Sequence, residues 1–361
     1  MDKQKDDLYI AFKLSIGIEL FFECFYYNCN KENSFFIAPK THQKKYKAEN
    51  ICNGGGAFQM VLDTINPINW FNFFKIIKLH QPKRVHLLGP HSFNAVSCIL
   101  LKLFFRDVKI FSVIHDSKAH SSVNYKKIFF IFQYMQIKLT DHVILLSDYV
   151  KKEVTRIYPL AEKNIHTILI PSTRMKPPIK NTHFEKKYIS FIGRLEGYQG
   201  IDTFIEIARS YKHRNSDVSF FLGGAGQIEK IIDVKNIPSN VVIRNEFIPN
   251  KDIDSILQKS FCMLLPYKDA TQSGIIPLSF YNSCPVICSD VGSFSEFIKD
   301  KQNGFVIKSG SIDDYVLRID QIVNDQELLE KLSLNSLRFY EKNLSPSSFI
   351  KKYNALENEI R

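Results

Sequence analysis

The chain has no apolar run long enough to cross a membrane as a helix, which takes about 18 to 20 residues; charge, proline or polar side chains break every such run earlier. It has no Cys-x-x-Cys pair. Its seven cysteines, Cys24, Cys29, Cys52, Cys98, Cys262, Cys284 and Cys288, are odd in number and scattered through apolar segments. That argues against a zinc site and a disulfide framework, and predicts buried free thiols in a reducing compartment. No Gly-x-Gly-x-x-Gly follows the first strand-like segment, which disfavours a nicotinamide cofactor. No zinc-finger, helix-turn-helix or aromatic RNA-binding signature is present, so nucleic acid is not an expected partner. The opening residues, Met1 to Asp7, are too polar and acidic for a secretory leader. These absences predict a cytoplasmic chain.

What is there suits a two-domain globular protein. With 361 residues, 45% apolar and 24% charged, there is material for two cores. The charge is uneven. Residues 1–170 carry 23 Lys and Arg against 14 Asp and Glu, a net of +9; residues 171–361 carry 25 against 23, a net of +2. A basic first half points to an anionic partner such as membrane headgroups or a lipid diphosphate. Surplus lysine serving solubility alone is the plainer alternative.

Strand-like and helix-like segments alternate. Strands are predicted over 8–12, 34–38, 84–88, 109–114, 142–146 and 166–170; helices over 18–30, 69–80, 93–105, 125–140 and 147–158; an irregular loop over 48–58. Such alternation predicts parallel, doubly wound sheets. The stretch 171–187, with three prolines and mixed charge, reads as a linker between a first domain, 1–170, and a second, 188–345, in which the alternation resumes. A final helix is predicted within 346–361.

The second domain carries the strongest signals. An apolar run ending at Leu264-Leu265-Pro266 leads into Asp269-Ala-Thr271-Gln272-Ser273-Gly274, then a helix over 275–281, then Pro285-Val-Ile-Cys288 and Asp290-Val-Gly292. A small polar loop feeding a helix start presents unpaired N–H groups to an anion. Upstream, Tyr188-Ile-Ser-Phe-Ile-Gly193-Arg194-Leu195 and Phe220-Phe-Leu-Gly223-Gly224-Ala-Gly226 are further strands running into glycine or polar loops. In open parallel sheets, ligands bind at the carboxyl ends of strands.

The ordered set Gly193-Arg194-Leu195, Gly200-Ile-Asp202, Gly223-Gly-Ala-Gly226, Phe247-Ile248-Pro-Asn, 271–274, Asp290-Val-Gly-Ser-Phe-Ser-Glu296 and Asn303-Gly-Phe-Val306 resembles the C-terminal domain of glycosyltransferase family 4. These are retaining transferases of the GT-B fold, and the match is to the polysaccharide-assembly type with a Gln-Ser-Gly donor loop. The resemblance implies two Rossmann-like domains facing across a cleft, with the final helix crossing back to the first. It implies a donor site in the second domain made by Arg194, Gln199, Gly223, Gly224, Phe247, Ile248, Asp269, Thr271, Gln272, Ser273 and Gly274, approached by a first-domain loop ending at Gly17. Three positions depart from the family pattern: Gln199 replaces the usual lysine, and Ala270 and Leu278 replace two glutamates. A neutral amide does not replace a point charge.

In the first half, His115-Asp116 directly follows a predicted strand, with His120 five residues on; the spacing alone favours a capping or core histidine. The resemblance implies a catalytic, cleft-lining pair instead. His91, past Gly89-Pro90, and Asn94 are implied acceptor-side residues together with His120, whereas His86 alternates into a strand as core. No third ligand accompanies the histidines, so no metal is expected. Trp70-Phe71, near a helix start, is the better candidate for membrane contact.

The resulting expectation is a hexosyltransferase. It would move a sugar from a nucleotide diphosphate-sugar to a glycan or lipid-linked glycan in O-antigen, capsule or exopolysaccharide assembly. It would need no cofactor or metal and would sit peripherally on the inner face of the cytoplasmic membrane. A nucleotide-sugar epimerase of the same architecture and a catalytically degenerate sugar-nucleotide binder are the alternatives.

Overall fold

The computed structural model describes residues 5–14, 16–89, 91–114, 126–158, 164–172, 174–178, 185–214, 217–308 and 310–359. The chain divides into two compact units, Met1–Leu169 with Phe349–Arg361, and Ile170–Ser348.

The first unit runs β1 (Asp7–Ile10), α1 (Ile16–Asn28), β2 (Ser34–Ile37), α2 (Ala57–Ile65), α3 (Pro67–His80), β3 (Arg84–Leu88), α4 (Ser92–Phe104), β4 (Lys109–Ile114), α5 (Lys126–Leu139), β5 (His142–Leu145), α6 (Asp148–Ile157) and β6 (Ile165–Thr167). The six strands form one sheet in the order β2-β1-β3-β4-β5-β6, and every pairing is parallel. The strands are near-continuous apolar runs because helices cover both faces; Leu8, Ile10, Val85, Leu87 and Ile110 are buried completely. The chain goes from β1 to β2 on one side, then returns to lay β3 on the other side of β1.

Two expectations need correcting here. The helical run continues back to Ile16, with Glu19 favourably placed in its first turn. Gly17 therefore lies inside α1 and not in a loop before it. The irregular loop ends at Gly56, and α2 follows. It escapes a reading for core-facing helices because its apolar residues do not face a core.

The second unit runs β7 (Tyr188–Ile192), α7 (Ile201–Tyr211), β8 (Ser219–Gly223), β9 (Val241–Arg244), α8 (Asn250–Gln258), β10 (Ser260–Leu265), α9 (Ile275–Tyr281), β11 (Val286–Ser289), α10 (Phe294–Phe297), β12 (Gly304–Ile307), α11 (Ile312–Asn324) and α12 (Gln326–Phe339). Its parallel sheet has the order β12-β11-β10-β7-β8-β9. A final helix, α13 (Pro346–Glu359), packs in the first unit. There Phe349 meets the rings of Phe21 and Phe25, and the Tyr353 hydroxyl lies 2.8 Å from His86 Nδ1. Both units are Rossmann-like.

Candidate functional site

In the second sheet the chain advances from β7 to β8 and β9, then crosses back to place β10 on the other flank of β7. The order reverses between β7 and β10, and such a switch point leaves a crevice at the carboxyl ends of the two strands. The loops bordering it are residues 193–200, after β7, and 266–274, after β10.

Packing, not ligand approach, explains most glycines here. A Cβ on Gly224, at φ +144°, would sit 1.6 Å from the Gly193 carbonyl oxygen; one on Gly226 would sit 2.1 Å from that of Leu195. The N–H groups of Gly224 and Gly226 are already given to the Arg244 carbonyl and the Asn245 side chain. Gly224 and Gly226 therefore hold the β7 and β8 loops together, with no proton left on either N–H for a phosphate, while a Cβ on Gly223 would press on the Phe221 ring. Gly274 differs. A Cβ there would meet nothing within 4 Å, so a ligand can reach this backbone.

Arg194 leaves the end of β7 into solvent, its side chain 63% exposed. Among the described residues its polar contacts are the Tyr198 hydroxyl at 3.2 Å and Glu196 at 3.4 Å. A weakly tethered guanidinium beside a switch point is free to take a ligand anion. Gln199 behaves oppositely. It is buried, and its Nε2 donates to the Tyr267 hydroxyl at 2.8 Å while its Oε1 has no partner among the described residues. The same phenol bonds Ser273. Burial holds Tyr267 above its ordinary pKa, so it stays protonated. Tyr267 thus ties the β7 loop to the loop after β10. The only sequence signal for it was an aromatic residue directly after Pro266.

Asp269 and Gly274 are exposed, Thr271 and Gln272 half-buried, and Ser273 buried. Gly292 packs against the Ala270 carbonyl, and the Ser293 N–H donates to the Thr271 carbonyl, which braces this loop from β11. Of the implied donor-site pair, Phe247 is exposed and Ile248 is buried next to Gly223. Asp252 and Asp254 on α8 are engaged by Arg244 and Arg174, both at 2.8 Å.

The first sheet reverses between β1 and β3, and His91 and Asn94 lie just past the end of β3. His91 is buried and caps α4, its Nδ1 accepting from the Phe93 N–H at 3.0 Å. Asn94 Nδ2 donates to the Gly89 carbonyl at 2.7 Å. His91 Nε2 and Asn94 Oδ1 are buried and have no hydrogen-bond partner among the described residues. Burial depresses the His91 pKa to about 4, so the ring is neutral. His115, Asp116 and His120 lie outside the described residues. Asp7, His86 and Glu357 have donor atoms within 4.8 Å of one another, but Arg84 forks onto both Asp7 oxygens. Asp7 and Arg84 stand at the amino ends of β1 and β3, away from the switch point.

Residues 35–169 match the family model described as Glycosyltransferase Family 4, and residues 174–338 match that described as Glycosyl transferases group 1. Each unit thus carries a glycosyltransferase family match, and together the two matches span most of the chain. A poly(ribitol-phosphate) alpha-N-acetylglucosaminyltransferase of Staphylococcus aureus is 24% identical over 214 residues, 57% of this chain and 42% of that protein. The chain spans about half the length of the first curated relatives it matches, at 54% and 42%. Among solved structures, sucrose-phosphate synthase from Thermosynechococcus elongatus superposes with a TM-score of 0.77 over 99% of both chains at 11% identity. Anabaena HepE in complex with UDP gives 0.73 over 98% of this chain and 100% of that one at 10% identity. Likenesses of that identity speak to the fold alone, that of two Rossmann-like domains.

Proposed function

We propose that the protein transfers a hexosyl group, with retention at the anomeric carbon, from a nucleotide diphosphate-sugar to a glycan or lipid-linked glycan in surface polysaccharide assembly. The observation carrying this reading is the pairing of Arg194 with the open backbone at Gly274 across the β7–β10 switch point. As the bond from the anomeric carbon to the diphosphate oxygen breaks, negative charge collects on the diphosphate. Arg194 and the exposed backbone at Ser273-Gly274 neutralise it there. Fixed donors placed where charge develops are usually the largest catalytic contribution. Gln199, in the place of the family's lysine, supports the loop through Tyr267 and adds no charge.

The names of similar proteins agree with this reading. The Staphylococcus aureus relative acts on a poly(ribitol-phosphate), and HepE was solved with UDP. No divalent cation is required in this proposal, because Arg194 supplies the positive charge and the Asp252/Asp254 pair is spent on arginines. The histidine pair His115-Asp116 would line the acceptor side, as the resemblance implies, and the protein would work peripherally on the inner face of the cytoplasmic membrane.

The test is thermal stabilisation by a panel of nucleotide-sugars, followed by product analysis of the anomeric configuration with the best donor. Stabilisation by one nucleoside diphosphate-sugar together with a retained anomer is expected. Binding with no turnover on any glycan acceptor would favour the degenerate binder, a reading that Gln199, Ala270 and Leu278 make specific. Release of an epimerised sugar would favour the epimerase.

A further inference from the structure

α2 is an amphipathic helix turned inside out. Phe58, Val61, Leu62 and Ile65 recur at helical spacing and share one face. That face is in solvent: Phe58 is 77% and Ile65 68% exposed. The polar residues point inward. Asp63 is buried and accepts from the N–H groups of Asn53 and Gly54 and from Gln59 Nε2 at 2.9 Å. Thr64 Oγ1 meets Ser92 Oγ at 2.7 Å, and the Thr64 carbonyl accepts from the Trp70 indole at 2.7 Å. Rolling the helix over would bury its apolar stripe but expose Asp63 and orphan the Gly54 N–H. The orientation is thus specified by bonds, and the apolar exposure is its consequence.

α3 follows after a single connecting residue, Asn66, and also exposes apolar side chains. Its outward positions are Ile68, Phe71, Lys75, Lys78 and Leu79, all exposed, with Phe71 at 69%. Its inward positions, Phe73, Ile76 and Ile77, are core. Trp70, expected to contact a membrane, instead stacks on Phe93 with ring centroids 3.6 Å apart. Between residues 57 and 80 the single carboxylate is the buried Asp63. The outward faces of α2 and α3 are therefore large apolar side chains followed by lysines, with no exposed acid.

We propose that these two faces form a docking surface for an anionic lipid bilayer, with Phe58, Ile65, Ile68 and Phe71 entering the acyl boundary and Lys75 and Lys78 meeting the headgroups. An interfacial helix needs an apolar face to insert and basic residues at the headgroup level. The net of +9 in residues 1–170 adds longer-range attraction. A second copy is a poorer occupant, because a twofold contact through this face would bury lysines with no carboxylate on the face to pair them. This inference deepens the peripheral placement proposed above. Vesicle binding and nucleotide-sugar binding are separate measurements, so either can fail without the other.

The experiment uses the full chain with vesicles of phosphatidylcholine alone and of phosphatidylcholine mixed with phosphatidylglycerol. Co-sedimentation should require phosphatidylglycerol and weaken as salt rises. The triple variant Phe58→Ser, Ile65→Ser, Phe71→Ser should bind at least tenfold more weakly at an unchanged unfolding temperature. Lys75→Glu with Lys78→Glu should remove most of the salt dependence. Phe58→Trp should shift its emission to the blue on vesicle addition and be quenched by brominated acyl chains. Equal binding by the triple variant, or no binding to either vesicle, overturns the proposal. So does a wild-type dimer that the triple variant converts to monomer with vesicle binding unaffected.

Discussion

Arg194 and Gln199 stand five positions apart, yet one is a solvent-exposed cation and the other a buried strut. Arg194→Ala should lower transfer at least tenfold at an unchanged unfolding temperature, since a hydrogen bond to a charged group is worth roughly 1.5–3 kcal/mol; initial rates beside a thermal melt check it. His91 makes a different prediction. Burial lowers its pKa from 6.5 to about 4, so between those values the unfolded chain binds a proton that the folded chain refuses. Stability therefore falls as pH drops through 6.5 towards 4, by up to roughly 3 kcal/mol at about 1.4 kcal/mol per unit. Asn also caps helices well, so His91→Asn should keep α4 and flatten that part of the stability curve. Urea titrations of the two proteins from pH 7 to 4 measure the difference. Asp7, lowered to about 2 chiefly by His86 and Arg84 against the cost of its burial, loses its contribution only below this window.

The loops at the β7–β10 switch point are built by contacts between elements that are remote in sequence. Gly224 approaches Gly193 so closely that Gly224→Ala, with a Cβ 1.6 Å from a carbonyl oxygen at φ +144°, should cost on the order of 3 kcal/mol or more. A shift of the urea midpoint reads this out. Tyr267→Phe takes the acceptor from Gln199 Nε2 and the tie from Ser273. It should cost about 1–3 kcal/mol and raise the KM for the donor severalfold with a smaller change in kcat, because the loop that receives the diphosphate loosens. Equal loss in both constants would point to a role in the chemical step. Both effects belong to pairs that no local window of sequence contains. The strand–loop–helix unit of residues 260–281 was legible, because a buried apolar run, a polar loop and a short helix follow one another there. Tyr267 as its brace was not.

Across the molecule, each sheet reverses its order beside its first strand, and in the second unit the loops with Arg194 and Gly274 border the crevice this leaves, the donor site proposed here. A donor present at about a hundred times its Kd should stabilise the folded state by roughly 2.7 kcal/mol, a rise of roughly 3–4 °C for a chain of this length. Turnover should persist in EDTA; activity lost in EDTA and restored by magnesium or manganese would contradict the charge role given to Arg194. Alternating apolar runs and helical segments were enough to specify two doubly wound parallel sheets, because burial on both faces writes itself into each strand. The family pattern, read in order along the second half, pointed to the glycosyltransferase models that the two units match. Strand order was not available that way, since every strand of a parallel sheet has the same apolar pattern and its neighbours are chosen by non-local packing. For the same reason only the tertiary structure showed which glycines pack loops, that Gln199 is buried, and that α2 turns its apolar face outward: periodicity states that a face is apolar, and the bonds of Asp63 decide which way it points.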